Sequence, residues 1–392
     1  MSMEDAWRLL PLLLLVPVVA GLGYHLVCLP VVAAFLARRR RAPAAVESWP
    51  PVSVLKPVYG LEKGLLENLR SICRQDYPSD YQVVLSVQRL DDPAIPLLRQ
   101  VEREFGRDRV TVVVADSEPV VNGRIQNLVN GYRAARHDVL VFTDSDVHHR
   151  PDYLRAIVAP LLAPGVGCSN TAYRASGADT WYEKLELLTL TLDFVTNVIF
   201  AAMTGASGFC LGASTALRRE TLERIGGLES LADYLVEDFE MGRRVNELGL
   251  RTVLVPYFVD TRVDLASPAA WWEHQVYWNM NTRAARPKGY AASVVIRELP
   301  FALLFAAARL FDGLGLGVLG ATLALRWATA AVLLGPVLRD REALSSLPWL
   351  PLRDVLELGA FFRALFRRRL VWRGVELSIS RRGRIVPLEK AA

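Results

Sequence analysis

Hydrophobic positions fall into three regimes along the chain. Residues 9–37 carry no charged side chain, well beyond the roughly 20 residues a helix needs to span a bilayer. From 50 to about 290 the pattern alternates. Short runs rich in β-branched residues at 52–55, 82–87, 110–115 and 139–143 predict strands, and the stretches between them at 61–73, 95–105 and 124–135 have helical spacing. Such alternation predicts an α/β fold with a mostly parallel sheet and helices on both faces. From about 291 the chain turns apolar again. The runs 299–308 and 313–338, interrupted by Arg309, Asp312 and Arg326, predict two tilted or closely paired spans or an interfacial or re-entrant pair, and the glycines of 313–320 predict tight helix contact. In 349–366 the apolar residues are spaced around Arg353, Asp354, Glu357 and Arg363, which predicts a helix lying on the surface.

The flanks of these stretches orient them. Arg38, Arg39, Arg40 and Arg41 follow the first apolar run where a signal peptide would carry its cleavage site, so the segment reads as an uncleaved anchor. The positive-inside rule keeps that arginine run cytosolic, with Glu4 and Asp5 at the opposite end, and Arg367, Arg368 and Arg369 hold the tail on the same side. The expected organisation is an anchor over 1–41, a cytosolic catalytic domain over 50–290, membrane helices over 291–338, and an interfacial helix with a cytosolic tail over 339–392.

Composition supports the membrane reading. Of 392 residues 52% are hydrophobic and 22% charged, which excludes a disordered chain and exceeds the apolar content of most soluble enzymes. The net charge of +5 collects in arginine clusters beside apolar stretches, where anionic lipid accounts for it better than nucleic acid. Only five of the 46 basic residues are lysine, which points to a bacterial cytoplasmic membrane. Cys28, Cys73, Cys168 and Cys210 have no metal-type spacing and read as small buried residues of a reducing compartment.

Candidate chemistry gathers where strands end. No G-x-G-x-x-G follows the first strand, since Gly60 and Gly64 do not fit that turn, and a dinucleotide-binding oxidoreductase loses its main support. Ligands on such sheets collect at the carboxyl ends of strands. The strand 139–143 runs directly into Asp144-Ser145-Asp146, two carboxylates that can share Mg²⁺ or Mn²⁺ with a diphosphate. A D-x-D also arises by chance, but an apolar strand running into paired acids is costly unless they are used. Asp91 and Asp92 follow the second strand and suit a nucleobase or ribose, or simply begin a turn at Pro93. Lys56 and Arg124 suit phosphate or solvent equally.

Further along, the small-residue run 205–214 permits either close approach of a ligand or a tight chain crossing. Glu237 and Asp238 open a helical pattern, where an acid can cap the helix or act as a general base. On the aromatic stretch 271–278, His274 shares a helix face with Tyr277 or Trp278, as an interfacial belt or an active-site lid. The apolar run 183–203 contains Asp193, either near a lipid head group or as one exposed acid on a buried helix.

The ordered set of Val52-Ser53-Val54-Leu55-Lys56-Pro57, Gln75-Asp76-Tyr77-Pro78, Asp91-Asp92-Pro93-Ala94-Ile95, Asp144-Ser145-Asp146, Pro151-Asp152-Tyr153-Leu154, Ala216-Leu217-Arg218-Arg219, Ile225-Gly226-Gly227 and Glu237-Asp238 resembles the ceramide glucosyltransferase family of membrane glycosyltransferases, which includes hopanoid-modifying bacterial relatives. The resemblance spans roughly 52–300. It implies a GT-A fold, Rossmann-like and flanked by transmembrane helices, that binds a UDP-sugar and transfers the sugar with inversion to a lipid hydroxyl. It further implies Asp91 or Asp92 as the nucleotide-binding acid, Asp144 and Asp146 as the diphosphate–metal motif, and Asp238 as catalytic base. Two positions depart from the family pattern. Arg89 stands where an Asp often follows the Gln, and Tyr277 replaces the arginine before Trp278, a cation that could help hold the diphosphate and for which Arg283 or Arg286 could compensate.

The leading expectation is therefore transfer of glucose from a UDP-sugar to ceramide in the bilayer. Other expectations are hopanoid or diacylglycerol as acceptor, a polyprenyl-phosphate sugar transferase, or a non-catalytic nucleotide-sugar-binding membrane protein. A processive polysaccharide synthase would need a polymer channel that two or three spans are too few to build.

Overall fold

The computed structural model describes residues 3–40, 46–115, 121–206, 208–372, 375–380 and 383–387. Arg41 and Ser207 lie outside the described residues, as do the side chains of Glu4 and Asp5. The chain divides into two compact units, one formed by Leu36–Gly177, Ala201–Asp264 and Arg369–Ala392, the other by Met1–Phe35, Ala178–Phe200 and Leu265–Arg368. The stretch expected as one continuous catalytic domain is thus shared between them. Residues 178–200 and those from 265 on group with the apolar helices, and the C-terminal tail groups with the sheet.

The first unit is built on an eight-stranded sheet of β1 (Val52–Pro57), β2 (Tyr81–Val87), β3 (Val110–Val114), β4 (Val139–Thr143), β5 (Val147–His148), β6 (Val166–Ser176), β7 (Ser214–Arg218) and β8 (Arg251–Arg262). Their spatial order is β3-β2-β1-β4-β7-β6-β8-β5. Strands β1 to β4 are mutually parallel, β7 is antiparallel to β4 and β6, β8 is parallel to β6, and β5 runs antiparallel to β8. Every residue of β1, β2 and β4 is buried, which is why these strands read as near-continuous apolar runs without alternation.

The helices Leu65–Cys73, Ile95–Phe105 and Gly123–Tyr132 connect the parallel strands. The first starts later than its periodicity predicts because Gly60 and Gly64 adopt φ of 68° and 77°, left-handed values that interrupt a helix. Leu55, Leu128, Phe142, Leu217, Met241 and Val245 meet in the core, each contributing about 1.5–3 kcal/mol by burial. Strand order reverses between β1 and β4, so the crevice at their carboxyl ends is the place where such a sheet takes ligands. In the tail, β9 (Arg369–Trp372), β10 (Val375–Ile379) and β11 (Ile385–Pro387) form a small antiparallel sheet. It is tied to the 233–235 loop by Leu235 N–H to Gly383 O at 3.0 Å and Ile385 N–H to Asp233 O at 2.8 Å.

The second unit is helical. Among the described residues three helices are long and apolar enough to cross a membrane: Pro11–Ala37, Trp181–Met203 and Gly313–Val337. A fourth candidate is the pair Pro287–Ile296 and Glu298–Ala308, bent by 53°. Helix Trp181–Met203 joins this set although its sequence suggested a helix of the catalytic domain. Gly315 accounts for the close helix contact expected of the glycine run, since a Cβ there would lie 3.1 Å from the Ala306 Cα.

Two sequence expectations are corrected in this unit. Asp193 is no lone exposed acid: it pairs with Arg353 at 2.5 Å and Arg326 at 3.2 Å from a π-helical turn, Thr189–Phe194. Helix Leu350–Phe366 exposes only one of its four charges, Arg363, because Arg353, Asp354 and Glu357 are all buried. Opposite charges on neighbouring helices explain both: Arg326 also reaches Asp354 at 3.0 Å and Glu298 at 3.2 Å, and Asn279 donates to Glu357 at 2.8 Å. An apolar periodicity cannot reveal that such a polar face has partners of its own.

Candidate active site

Five segments of the sheet unit converge at the β1/β4 crevice: the ends of β1 and β4, the start of helix Gly123–Tyr132, the loop ending at Gly212, and the start of helix Glu237–Glu247. The turn after β4 is fixed from beneath by Lys56. This lysine is fully buried and donates to the backbone oxygens of Asp144 at 2.5 Å and Val147 at 3.1 Å. Burial lowers its pKa to about 8 against the opposing pull of Asp146 and Asp144. Lys56 therefore shapes the acidic turn and does not extend its ammonium toward a phosphate.

Asp144 and Asp146 are half-buried on that turn. Burial first, then the charges of Asp144 and Glu62, raise Asp146 to about 7. Glu62, not singled out by the sequence, leaves its Oε2 buried without a hydrogen-bond partner, and burial raises its pKa as well. Among the described residues no three His, Cys, Asp or Glu side chains gather closely enough to make a metal site by themselves. Two carboxylates on one turn do suit Mg²⁺ or Mn²⁺, which are commonly held by one or two carboxylates and complete their shell with water and phosphate oxygens.

Arg124 lies across the crevice. Its Nε donates to Asp144 Oδ1, its Nη1 to Glu237 Oε1 and its Nη2 to Gly212 O, each at 2.7 Å. Asn122 caps the helix by accepting from Arg124 N at 3.1 Å and Ile125 N at 3.2 Å, and its amide donates to Glu237 Oε2 at 3.2 Å. The Asn-Gly pair ahead of an apolar-periodic run is the signal that could have found this cap from sequence.

Asp238 accepts from Gly212 N at 2.6 Å and from its neighbour Phe239 N at 2.7 Å. Burial, then the adjacent Glu237 charge, raises Asp238 to about 7, while Arg124 and the two amides pull it down. The small-residue run before it serves the tight-crossing alternative: a Cβ on Gly242 would lie 2.4 Å from Cys210 N, so helix and loop backbones touch.

The two acids after β2 have different placements. Asp92 is buried and accepts from Gly60 N at 3.1 and 3.0 Å and Ala94 N at 2.9 Å, fixing the loop that leaves β1. Asp91 is exposed and pairs with Arg89 at 2.6 Å. His274, Tyr277 and Trp278 belong to the helical unit, on helix Pro268–Ala285. The Trp278 indole donates to His274 Nε2 at 2.9 Å, which leaves the ring proton on Nδ1, 3.2 Å from buried Glu186 Oε1. Arg283 does not replace the missing arginine of that motif. It donates to the carbonyls of Ala364, Leu365 and Arg367 and so caps the end of helix Leu350–Phe366. All four cysteines are free and buried.

A mixed, mostly parallel sheet with helices and with acids gathered beyond the end of β4 fits the GT-A fold, and the comparisons agree. The profile described as glycosyl transferase family 21 matches residues 13–385, and the chain belongs to that family. It is 24% identical over 210 residues to ceramide glucosyltransferase 1 of Caenorhabditis elegans, covering 52% of this chain and 44% of that protein. With the ceramide glucosyltransferase of Gibberella zeae it shares 24% over 230 residues, covering 56% and 40%. The chain thus spans less than half the length of these relatives. Among solved structures it resembles the mannosyltransferase PcManGT of Pyrobaculum calidifontis, determined with GDP-Man and Mn²⁺, at 19% identity and a TM-score of 0.54 over 90% of this chain and 99% of that one. At that identity the likeness establishes the fold.

Proposed function

We propose that the chain is an inverting glycosyltransferase that moves glucose from UDP-glucose to the primary hydroxyl of ceramide. The observation that carries the reading is the meeting of Asp144, Asp146 and Asp238 at one crevice, with Asp238 poised near neutral pH. The names of the family relatives support glucose as the sugar and ceramide as the acceptor, the resemblance to the ceramide glucosyltransferase family supports UDP as its carrier, and Mn²⁺ in the related fold supports a divalent cation.

Asp238 takes the proton of the lipid hydroxyl as that oxygen attacks the anomeric carbon from the face opposite the diphosphate. The carbon–oxygen bond to UDP breaks as the new bond forms, which inverts the anomeric centre. Asp144 and Asp146 would hold Mg²⁺ or Mn²⁺, whose charge stabilises the departing diphosphate. Asp91 is the exposed candidate for nucleotide contact beside the loop that Asp92 fixes. The apolar helices anchor the enzyme in the cytoplasmic membrane of a bacterium, with Arg38–Arg40 and the catalytic unit facing the cytosol.

The test is sugar transfer by detergent-purified protein, offered UDP-glucose, UDP-galactose or UDP-N-acetylglucosamine with Mn²⁺ or Mg²⁺ against ceramide, diacylglycerol, a hopanoid polyol or polyprenyl phosphate. Glucosylceramide formed by the wild type and reduced by about 10²–10⁴ in Asp238→Asn, with UDP binding kept, is the expected result. Full activity of Asp238→Asn on polyprenyl phosphate would replace this reading, because a phosphate acceptor needs no base. Tight UDP binding without any product would make the chain a nucleotide-sugar-binding protein.

A further inference from the structure

Arginine in the first turn of a helix is placed against the helix dipole. Arg124 is the second residue of helix Gly123–Tyr132, so something must compensate it. Its compensation is unusually complete. The three guanidinium nitrogens find acceptors on three separate segments, all at 2.7 Å: the Asp144 carboxylate after β4, the Glu237 carboxylate at the next helix start, and the Gly212 carbonyl. The same Gly212 gives its N–H to Asp238 Oδ2 at 2.6 Å. One peptide residue therefore faces Arg124 with its oxygen and Asp238 with its nitrogen. Asn122 adds a second tie from the same helix end to Glu237 at 3.2 Å.

We infer that Arg124 is a positioning residue that joins the two acidic motifs, holding Asp238 in its reactive orientation through Gly212 and Glu237, and that it is not primarily a ligand of the donor diphosphate. The planar fork of arginine can serve three acceptors in one plane at fixed spacing, which the point charge of lysine cannot. Gly212 carries independent support. A Cβ at this position would lie 3.2 Å from Asp238 Oδ2 and 3.6 Å from Arg124 Nη2, so an alanine here would touch the guanidinium normally but push the Asp238 carboxylate away by a few tenths of an ångström. This role rests on the transferase reading, because it is the displacement by a lipid hydroxyl that makes the orientation of Asp238 matter.

The test uses the full-length protein in detergent with Arg124→Gln, Arg124→Lys and Gly212→Ala. Four quantities are read: kcat and KM with UDP-glucose and ceramide, equilibrium binding of UDP with Mn²⁺, and the rate of carbodiimide labelling of Asp238 by mass spectrometry. Misplacing a catalytic group by an ångström can cost about 10²-fold, so Arg124→Gln should lower kcat about 30-fold or more, Gly212→Ala about 10-fold, and Arg124→Lys should recover part of the loss. UDP affinity should stay within about threefold in all three, and Asp238 labelling should rise about fivefold in Arg124→Gln, since lost charge and a loosened Gly212 favour the reactive protonated carboxyl. A fall in UDP affinity with kcat kept would make Arg124 a donor ligand and overturn the inference, as would unchanged labelling of Asp238. A wild type that makes no glycolipid would defeat the transferase reading separately, and labelling would still decide the clamp. If Arg124→Gln does not fold, Gly212→Ala decides by the same measurements.

Discussion

The buried ammonium of Lys56, at the end of β1, donates to the main-chain oxygen of Asp144, just beyond the end of β4, at 2.5 Å. A single side chain thereby ties the neighbouring strand ends at the switch point and sets the direction in which the acidic turn leaves the sheet. Lys56→Met keeps the length of the side chain and removes both of its charge-assisted bonds, each worth about 1.5–3 kcal/mol. We expect a lower Tm and at least about tenfold lower kcat, the latter because the acids lose their orientation. Thermal unfolding and initial rates measured side by side check this, and an active, equally stable variant would show that the turn holds itself.

Asp238 gives opposite pH trends for activity and stability. As a base it must be ionised, so kcat should rise with pH through about 7 and level off above it. In stability the sign reverses. The folded carboxyl, raised to about 7, keeps a proton that the unfolded one releases near 3.8, so its contribution is full below about pH 4 and is lost as pH rises through 7. Relative to Asp238→Asn, the wild type should therefore lose Tm between pH 5 and 8 in nucleotide-free detergent solution. A Tm difference independent of pH would remove the assignment.

Replacing the paired acids should separate cation from fold. Asp144→Asn and Asp146→Asn are each expected to abolish stimulation of turnover by Mn²⁺ or Mg²⁺, with a loss of about 10²-fold or more as charge on the leaving diphosphate goes unneutralised. Titrating cation into wild type and variants gives the comparison, and cation-stimulated turnover that survives in both would move the site elsewhere.

In the helical unit Arg353 joins Asp193 at 2.5 Å and Asp354 at 2.7 Å. Removing one partner from a buried ion cluster costs about 3–5 kcal/mol because the remaining charges lose their counterion. Arg353→Met should accordingly reduce the yield of monodisperse protein, and adding Asp193→Asn should restore part of it. Size-exclusion profiles of the single and double variants measure this; equal loss in both would make the arginine a packing element only.

Several features were legible in sequence because they rest on local chemistry. The continuous apolar runs of β1, β2 and β4 follow from strands buried on both faces. The 9–37 segment is too long and uncharged to be other than a spanning candidate, and Asp144-Ser145-Asp146 stands out because acids directly follow an apolar strand. Asp238 was legible as an acid at a helix start. The division of the chain was not legible, since residues 178–200 have the same helical apolar pattern whether they pack on a sheet or among other helices.

Side-chain partnerships were decided by tertiary structure alone. Nothing near Lys56 in sequence tells that its ammonium meets carbonyls 88 and 91 residues away, or that Arg124 is enclosed by Asp144, Glu237 and Gly212. The charged face of helix Leu350–Phe366 reads as a wet surface until Arg326 and Asp193 arrive from other helices. Periodicity and turn chemistry are properties of neighbouring residues and are written in the chain. Whether a charge meets solvent, a carbonyl or a counterion depends on distant segments, and that only the folded arrangement decides.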